Sequence, residues 1–214
     1  MIASTPAVKR PPHMAFEALV SEGAEVMAGL SGLRIMMALA GFYTALVPLS
    51  NPALADPALS ALRVGEMRKL IVHEVAETVP EIAFADGGGA VKSFADWQGR
   101  VRVVNFWATW CAPCRAEMPG LDRLAREMPE VSVLTIATGR NLRPALDKFY
   151  AETGITDLPL LLDPKSAVAR GMGVAGLPVT VVLDKEGREA ARMIGEADWA
   201  SEEARAVLRE LALR

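Results

Sequence analysis

Cysteine is scarce in this sequence, because its 214 residues include two, Cys111 and Cys114. Small secreted domains that depend on disulfides for their stability carry many more, so that class of scaffold is excluded. Both cysteines lie in one stretch, VRVVNFWATWCAPCRAEMPGL, directly after an apolar run and with two residues between them. A pair placed this closely must have a local purpose.

Strong charge is also lacking. The formal net charge is −3 at pH 7, and the chain has no basic stripe and no run of like charges. We therefore expect no nucleic-acid partner. Apolar residues make up 51% of the chain, which is enough to form a packed core. The sequence contains no internal repeat and no low-complexity tract.

The first 55 residues differ from the rest and predict an upstream extension followed by an export signal. Residues 35–49 carry no charge, Arg34 precedes them, and an A-L-A cleavage site at 53–55 stands before Asp56. A positive flank, an apolar centre and a small-residue cleavage site are the three parts of a secretory signal. As a helix, the apolar run covers roughly 22 Å, less than the ~30 Å of a bilayer core. This length favours a cleaved signal peptide over an uncleaved signal anchor, and a buried core helix is the least favoured alternative.

From residue 56 onward, the hydrophobic pattern is typical of an α/β domain. Residues 56–79 are interpreted as a helical or irregular lead-in segment, and residues 80–214 as the domain. The predicted elements are a hairpin about the glycines 87–89, buried strands at VRVVNFWA and VSVLTIAT, an extended run at LPLLLD, a hairpin joining VTVVLD to EAARMI, and helices at CRAEMPGLDRLAREM, LRPALDKFYAET, SAVARGMG and SEEARAVLRELAL. One sheet with helices on both faces is the simplest architecture for this order.

The cysteines stand where a buried strand meets the start of a helix. The first turn of a helix has unpaired N–H groups and a partial positive charge, so it stabilises a thiolate. Because attack on a disulfide requires a thiolate, Cys111 is the candidate nucleophile. Cys114 lies one turn further along, where it can attack a mixed disulfide and release the product. Pro113 has no N–H to lose and favours the first helical turn.

Other uses of the pair remain open. A structural disulfide between residues this close would close a trivial loop and add little stability. A zinc site needs four ligands, and the only other candidates are His13 and His73. Two cysteines can hold a copper ion unaided, which makes a copper carrier harder to exclude. Peroxidase chemistry from one reactive cysteine is a further alternative.

The segment NFWATWCAPCRAEMP resembles the active-site segment of thioredoxin-fold proteins, in particular the TlpA-like branch of exported thiol-disulfide reductases. The resemblance covers residues 80–213, about two thirds of the chain. It implies the thioredoxin fold, with a central mixed sheet and helices on both faces. A second segment, VAGLPVTVVLD, resembles the loop in which a cis proline faces the cysteine pair. The resemblance thus implies that Pro178 is cis and that the Leu177 backbone offers hydrogen bonds to a substrate.

Two residues near the motif differ from cytoplasmic thioredoxin. Where that protein has a buried acid in the strand before the motif, this chain has Asn105, which cannot accept a proton. Glu117 stands where the TlpA-like branch usually has an acid, and a solvated helix residue is the alternative interpretation. We expect Trp107 to lie in the core and Trp110 to form an apolar surface beside Cys111 on which a partner protein docks.

The resemblance implies an exported thiol-disulfide oxidoreductase, in the reductase direction, that acts on cysteines of other proteins. Apocytochrome c and copper-site proteins are the substrates it suggests, and a membrane protein is the expected electron donor. No organic cofactor or metal is expected, because Cys111 and Cys114 carry the electrons. We expect the protein to be periplasmic or otherwise exported, with residues 35–49 as a tether if the signal is not cleaved. A disulfide-forming oxidase and a copper-binding chaperone are the alternatives.

Overall fold

Eight strands form one mixed sheet in a computed structural model that describes residues 57–214. The strands are β1 (Ile71–Glu77), β2 (Phe84–Asp86), β3 (Val91–Lys92), β4 (Val101–Trp107), β5 (Val131–Thr138), β6 (Leu161–Asp163), β7 (Val179–Leu183) and β8 (Glu189–Ile194). The helices are α1 (Pro57–Ala61), α2 (Ala112–Glu127), α3 (Arg143–Thr153), α4 (Ala167–Gly171) and α5 (Glu202–Ala212), with 3-10 turns at Gly65–Lys69 and Phe94–Trp97. The strand order in the sheet is β1-β8-β7-β4-β5-β6-β2-β3.

The centre of the sheet is parallel and its edges are antiparallel. Strand β4 pairs in parallel with β5, and β5 in parallel with β6. On the other side of β4, strands β7, β8 and β1 follow in antiparallel pairs. Both β4 and β5 are buried along their whole length, as their near-continuous apolar sequences predict. The mixed sheet expected from the sequence is confirmed.

Alternation along β4 directs its side chains to two separate cores. Val103 and Trp107 pack on the face that carries α2 and α5, while Val104 and Phe106 pack on the face that carries α4. Side chains of a strand point alternately to the two faces of a sheet, so Asn105 falls on the α2 face. The sheet thereby places a polar group beneath α2.

The lead-in segment contributes to the sheet. Its last part is β1, which pairs with β8 as an edge strand. Met67 and Leu70, just before β1, are fully buried in the core on the α2 face. The segment therefore combines the helical and irregular structure expected of it with a strand that the sequence pattern did not indicate.

Both predicted hairpins are present. Strands β2 and β3 pair in antiparallel fashion around the glycines 87–89. Strands β7 and β8 are joined by a tight turn in which the Asp184 N–H donates to the Arg188 carbonyl over 2.9 Å. The predicted cap of the last helix is also present, because the Ser201 hydroxyl accepts the Ala204 N–H over 3.2 Å.

The proposed export segment, residues 1–55, lies outside the described residues, so the alternatives of signal and anchor stay predictions. Among residues 57–214, no helix combines the length and the apolar character that a membrane crossing requires.

Candidate active site

Cys111 and Cys114 form a disulfide at the junction between β4 and α2, with 2.04 Å between their sulfurs and 5.3 Å between their Cα atoms. Cys111 is the N-cap of α2, and its sulfur accepts the Cys114 N–H over 3.3 Å. Pro113 stands in the first turn, where the absence of an N–H costs nothing. The pair thus occupies the end of a helix that favours negative charge on sulfur.

The two sulfurs differ in access to solvent. Cys111 is 6% exposed and Cys114 is 0% exposed. Helix α2 continues through Pro119 without interruption, and its apolar residues Met118, Leu121 and Leu124 are buried. These contacts anchor the helix on the sheet, and Cys111 is the more exposed of the two cysteines.

Glu117 is buried beside the sheet, 6% exposed, and is not a solvated helix residue. Its Oε1 accepts a hydrogen bond from Asn105 Nδ2 over 2.6 Å, and its Oε2 accepts the Ala197 N–H over 3.3 Å. Burial, with a smaller contribution from the nearby Glu196, raises the pKa of Glu117 to about 7 against the opposing effect of the two hydrogen bonds. At neutral pH this carboxyl group can therefore both give and take a proton.

Asn105 connects Glu117 to the neighbouring strand. Its Nδ2 also donates to Thr180 Oγ1 on β7 over 2.9 Å, in a register that places the two residues side by side. Its Oδ1 is buried and has no partner among the described residues. An asparagine that cannot itself exchange protons thus fixes the position of an acid that can.

A cavity of about 490 Å³ extends from Glu117 on the side of α2 that faces the loop before Trp199. Its wall includes the exposed residues Glu66, Arg123 and Glu196. Glu66 comes from the lead-in segment and accepts the Asp198 N–H over 2.8 Å. The carboxyl group of Glu117 thus borders an open cavity.

The Leu177–Pro178 peptide bond is cis. Pro178 is buried at the start of β7, and Leu177 is half-buried. Among the described residues, no backbone hydrogen bond uses the N–H or the carbonyl of Leu177. Both groups are thus available for an added strand.

The two tryptophans around the motif take different positions. Trp107 is 0% exposed and packs against Phe149 and Tyr150, with ring centroids 5.3 Å and 6.2 Å away. Trp110 is 68% exposed and stands directly before Cys111. Trp107 therefore belongs to the core, while Trp110 offers an exposed apolar side chain directly before Cys111.

One residue of the site was missed by sequence reasoning. Asn141, in the loop after β5, accepts hydrogen bonds from the Thr109 N–H and hydroxyl over 2.8 Å and 3.0 Å, and donates to the Thr138 carbonyl. It thus fixes the loop that carries Trp110. The only available signal was a polar residue directly after a buried strand, which is common in loops.

His73, considered above as a zinc ligand, lies on the edge strand β1. Its Nε2 is 2.9 Å from Glu189 Oε1, and its Nδ1 is 3.3 Å from Glu77 Oε1. Arg192 binds the same Glu189 through two hydrogen bonds. The histidine belongs to a cluster of charged groups that joins β1 to β8.

The sheet order, the strand-to-helix C-x-x-C disulfide and the cis proline before β7 define a thioredoxin-fold protein. Residues 74–208 match the family model described as Redoxin, and that region is well over half of the chain. The chain belongs to the Redoxin family.

Its relatives agree with this assignment. The chain is similar to the thiol-disulfide oxidoreductase ResA of Geobacillus thermodenitrificans, 32% identical over 53% of this chain. It is 38% identical, over 50% of this chain, to the thiol:disulfide interchange protein HelX of Rhodobacter capsulatus. The matched regions span 66% and 61% of those two proteins. Among solved structures, a secreted thiol-disulfide isomerase from Corynebacterium glutamicum superimposes with a TM-score of 0.59 at 26% identity, over 67% of this chain and 92% of that one.

Proposed function

We propose that this protein is a thiol-disulfide oxidoreductase that exchanges disulfides with cysteines of other proteins. The observation that carries the proposal is the position of the Cys111–Cys114 disulfide, with the more exposed sulfur at the N-cap of α2. ResA is named a thiol-disulfide oxidoreductase and HelX a thiol:disulfide interchange protein, and both names support the same chemistry. The two sulfurs hold the electrons, so the exchange requires no other cofactor.

In the reductive direction, the Cys111 thiolate attacks one sulfur of a substrate disulfide. The substrate's S–S bond breaks, its other sulfur leaves as a thiolate, and a mixed disulfide joins Cys111 to the substrate. The Cys114 thiolate then attacks the Cys111 sulfur and releases the second substrate thiol. Two electrons pass to the substrate, and the enzyme ends with the Cys111–Cys114 disulfide.

Cys114 must lose a proton before it attacks, and Glu117 is the group that we assign to accept it. Glu117 stands one turn after Cys114 on α2, and its pKa of about 7 makes it a base of suitable strength at neutral pH. Glu117 then releases the proton to solvent through the cavity beside it.

We favour the reductase direction over oxidation. An ionised carboxylate near the sulfurs disfavours a thiolate and opposes the helix dipole. Strong oxidants of this fold owe their potential to a stabilised reduced form. A destabilised thiolate has the opposite effect and makes the pair a stronger reductant. A reductase in an oxidising compartment needs a donor, for which a membrane protein is the proposed partner. Apocytochrome c and copper-site cysteines are the proposed substrates.

An insulin-reduction assay tests the proposed oxidoreductase activity. Dithiothreitol supplies the electrons, the dithiol form of the protein reduces the insulin disulfides, and turbidity follows the reaction. Cys111→Ser should abolish it. Cys114→Ala should retain the first step and accumulate the mixed disulfide, which also permits capture of the natural substrate. Full activity of Cys111→Ser would contradict the proposal. Strong oxidation of reduced substrates without insulin reduction would show that the protein is a disulfide-forming oxidase.

We also propose an exported location, supported by the apolar run at 35–49 and its cleavage site. Residues 1–56 fused to alkaline phosphatase without its own signal should give activity outside the cytoplasm. A mature protein that begins at Asp56 would indicate cleavage, and the full-length chain in membranes would indicate an anchor. Retention of the fusion in the cytoplasm would contradict both.

A further inference from the structure

A groove of about 310 Å³ runs beside Trp110, between the start of α2 and the exposed side of α3. Aromatic and charged groups dominate its lining, which includes Trp110, Arg115, Lys148, Phe149 and Glu152. One of the lining residues, Trp110, directly precedes Cys111 in the chain.

Arg115 is held in this groove by a ring and not by a carboxylate. The Cζ atom of its guanidinium lies 5.1 Å from the centroid of the Phe149 ring. Phe149 is buried and fixed against Trp107, so it forms a rigid base for the cation. Among the described residues, Arg115 forms no ion pair within 4.0 Å. A guanidinium that rests on a ring without an ion-pair partner can still bind a carboxylate through two hydrogen bonds.

The charge of the groove is positive even though the whole chain carries −3. Lys148 pairs with Glu152 at 3.7 Å, which leaves Arg115 as the excess cation of the groove. A second exposed cation, Arg140, lies in the loop that Asn141 fixes to Thr109. A negatively charged group on a partner would complement this surface.

Helix geometry gives the position of that group in the partner. Arg115 is four residues after Cys111, a rise of about 6 Å along α2. Two residues of an extended chain cover about 6.6 Å, and side chains at positions i and i+2 lie on the same side of it. For a substrate chain that follows α2 away from Cys111, the side chain two residues from its cysteine lies at the level of Arg115 along the helix.

We infer that this groove is a specificity subsite for an acidic side chain two residues from the substrate cysteine. This inference rests on the proposed function, since it needs a substrate cysteine joined to Cys111. The subsite orients the substrate before attack and takes no part in the exchange of electrons.

Short peptides that carry one cysteine as a mixed disulfide with thionitrobenzoate test the inference. The Cys111 thiolate attacks the peptide sulfur, coloured thionitrobenzoate leaves, and Cys114 then releases the peptide thiol. Two sets of three peptides are compared. In one set the residue two positions before the cysteine is Glu, Gln or Lys, and in the other set the residue two positions after it is varied in the same way. The rate of each peptide with the protein is divided by the rate of the same peptide with dithiothreitol, which removes differences in intrinsic reactivity.

The reduced protein should react about threefold faster with one of the two Glu peptides than with its Gln counterpart, the size expected of an exposed ion pair. Arg115→Gln should abolish this preference, and Arg115→Glu should reverse it in favour of Lys. Arg170→Gln, which removes an exposed arginine of α4 that does not line the groove, should retain it.

The two possible failures have different signatures. If no thionitrobenzoate is released from any peptide, the proposed function is wrong and the subsite with it. If all peptides react but Glu and Gln do not differ, or if the preference survives Arg115→Gln, the subsite is refuted while the oxidoreductase activity stands. Rates at increasing salt add a separate check, because the preference of the natural chain should weaken as charges are screened.

Discussion

Asn105 donates a hydrogen bond to Glu117 over 2.6 Å, so a residue of the central strand fixes the acid beneath the active-site helix. The same Asn105 nitrogen reaches Thr180 on β7, and the carboxyl group of Glu117 also accepts the Ala197 N–H. Three separate segments thus position one carboxyl group that is nearly excluded from solvent.

Glu117→Gln should make the cysteine pair more oxidising. Removal of the carboxylate removes a negative charge that opposes the Cys111 thiolate, so the pKa of Cys111 should fall. The same substitution removes the proton acceptor for Cys114 and should slow release from the mixed disulfide. Equilibration with glutathione measures the redox change, and thiolate absorbance against pH measures the pKa of Cys111. Stopped-flow kinetics measures the rate of release from the mixed disulfide. Unchanged values in all three would show that Glu117 has only a structural role.

The raised pKa of Glu117 also makes stability depend on pH. The ordinary value is 4.5 and the folded value is about 7, so between these values the folded chain binds more protons than the unfolded chain. The free energy of unfolding should therefore fall as pH rises through this window, by up to about 3 kcal/mol for this one group. Urea denaturation of the oxidised protein at pH 4.5 and pH 8 measures the effect. Glu117→Gln is the matched control, and the wild-type protein should lose more stability than this variant over the interval.

Asn105→Leu should raise the pKa of Glu117 above its present value. The substitution removes a hydrogen bond that stabilises the carboxylate, while the side chain keeps a similar size. Thr180→Val is the control, because it removes the other partner of Asn105 and leaves the bond to Glu117 in place. Carbon NMR of labelled glutamate follows the titration of Glu117. A pKa unaltered by Asn105→Leu would show that burial alone sets it.

The two cysteines should react at different rates in the reduced protein. Cys111 is at the helix terminus and 6% exposed, whereas Cys114 is 0% exposed. Iodoacetamide near neutral pH should therefore modify Cys111 at least tenfold faster, as read by mass spectrometry of the digested protein. Equal rates would contradict the assignment of Cys111 as nucleophile.

Trp107→Ala and Trp110→Ala form a pair that separates stability from recognition. Trp107 is enclosed by the core, so its replacement should cost about 3–5 kcal/mol of unfolding free energy. Trp110 is largely exposed, so its replacement should change stability by about 0.5 kcal/mol or less while slowing reaction with protein substrates. Urea denaturation and insulin reduction measure the two effects. Loss of stability in Trp110→Ala would place that ring in the core instead.

Much of the fold could be predicted because its signals are local. The apolar runs at β4 and β5 indicated strands buried on both faces, and the proline and cysteine spacing indicated a helix start at the motif. Strand β1 was missed because it is an exposed edge strand whose pairing with β8 depends on distant sequence. Its mixture of polar and apolar residues has no clear period.

The sequence by itself determined the chemistry of the motif: two sulfurs one helical turn apart, at the end of a strand and the start of a helix. Only the tertiary structure decided the surroundings of that motif. The burial of Glu117, its bond from Asn105, and the contact of Arg115 with Phe149 join side chains from different elements. The physical reason is that residue type and spacing fix local backbone geometry, whereas solvent exclusion, and with it the pKa of a buried acid, depends on which elements pack together.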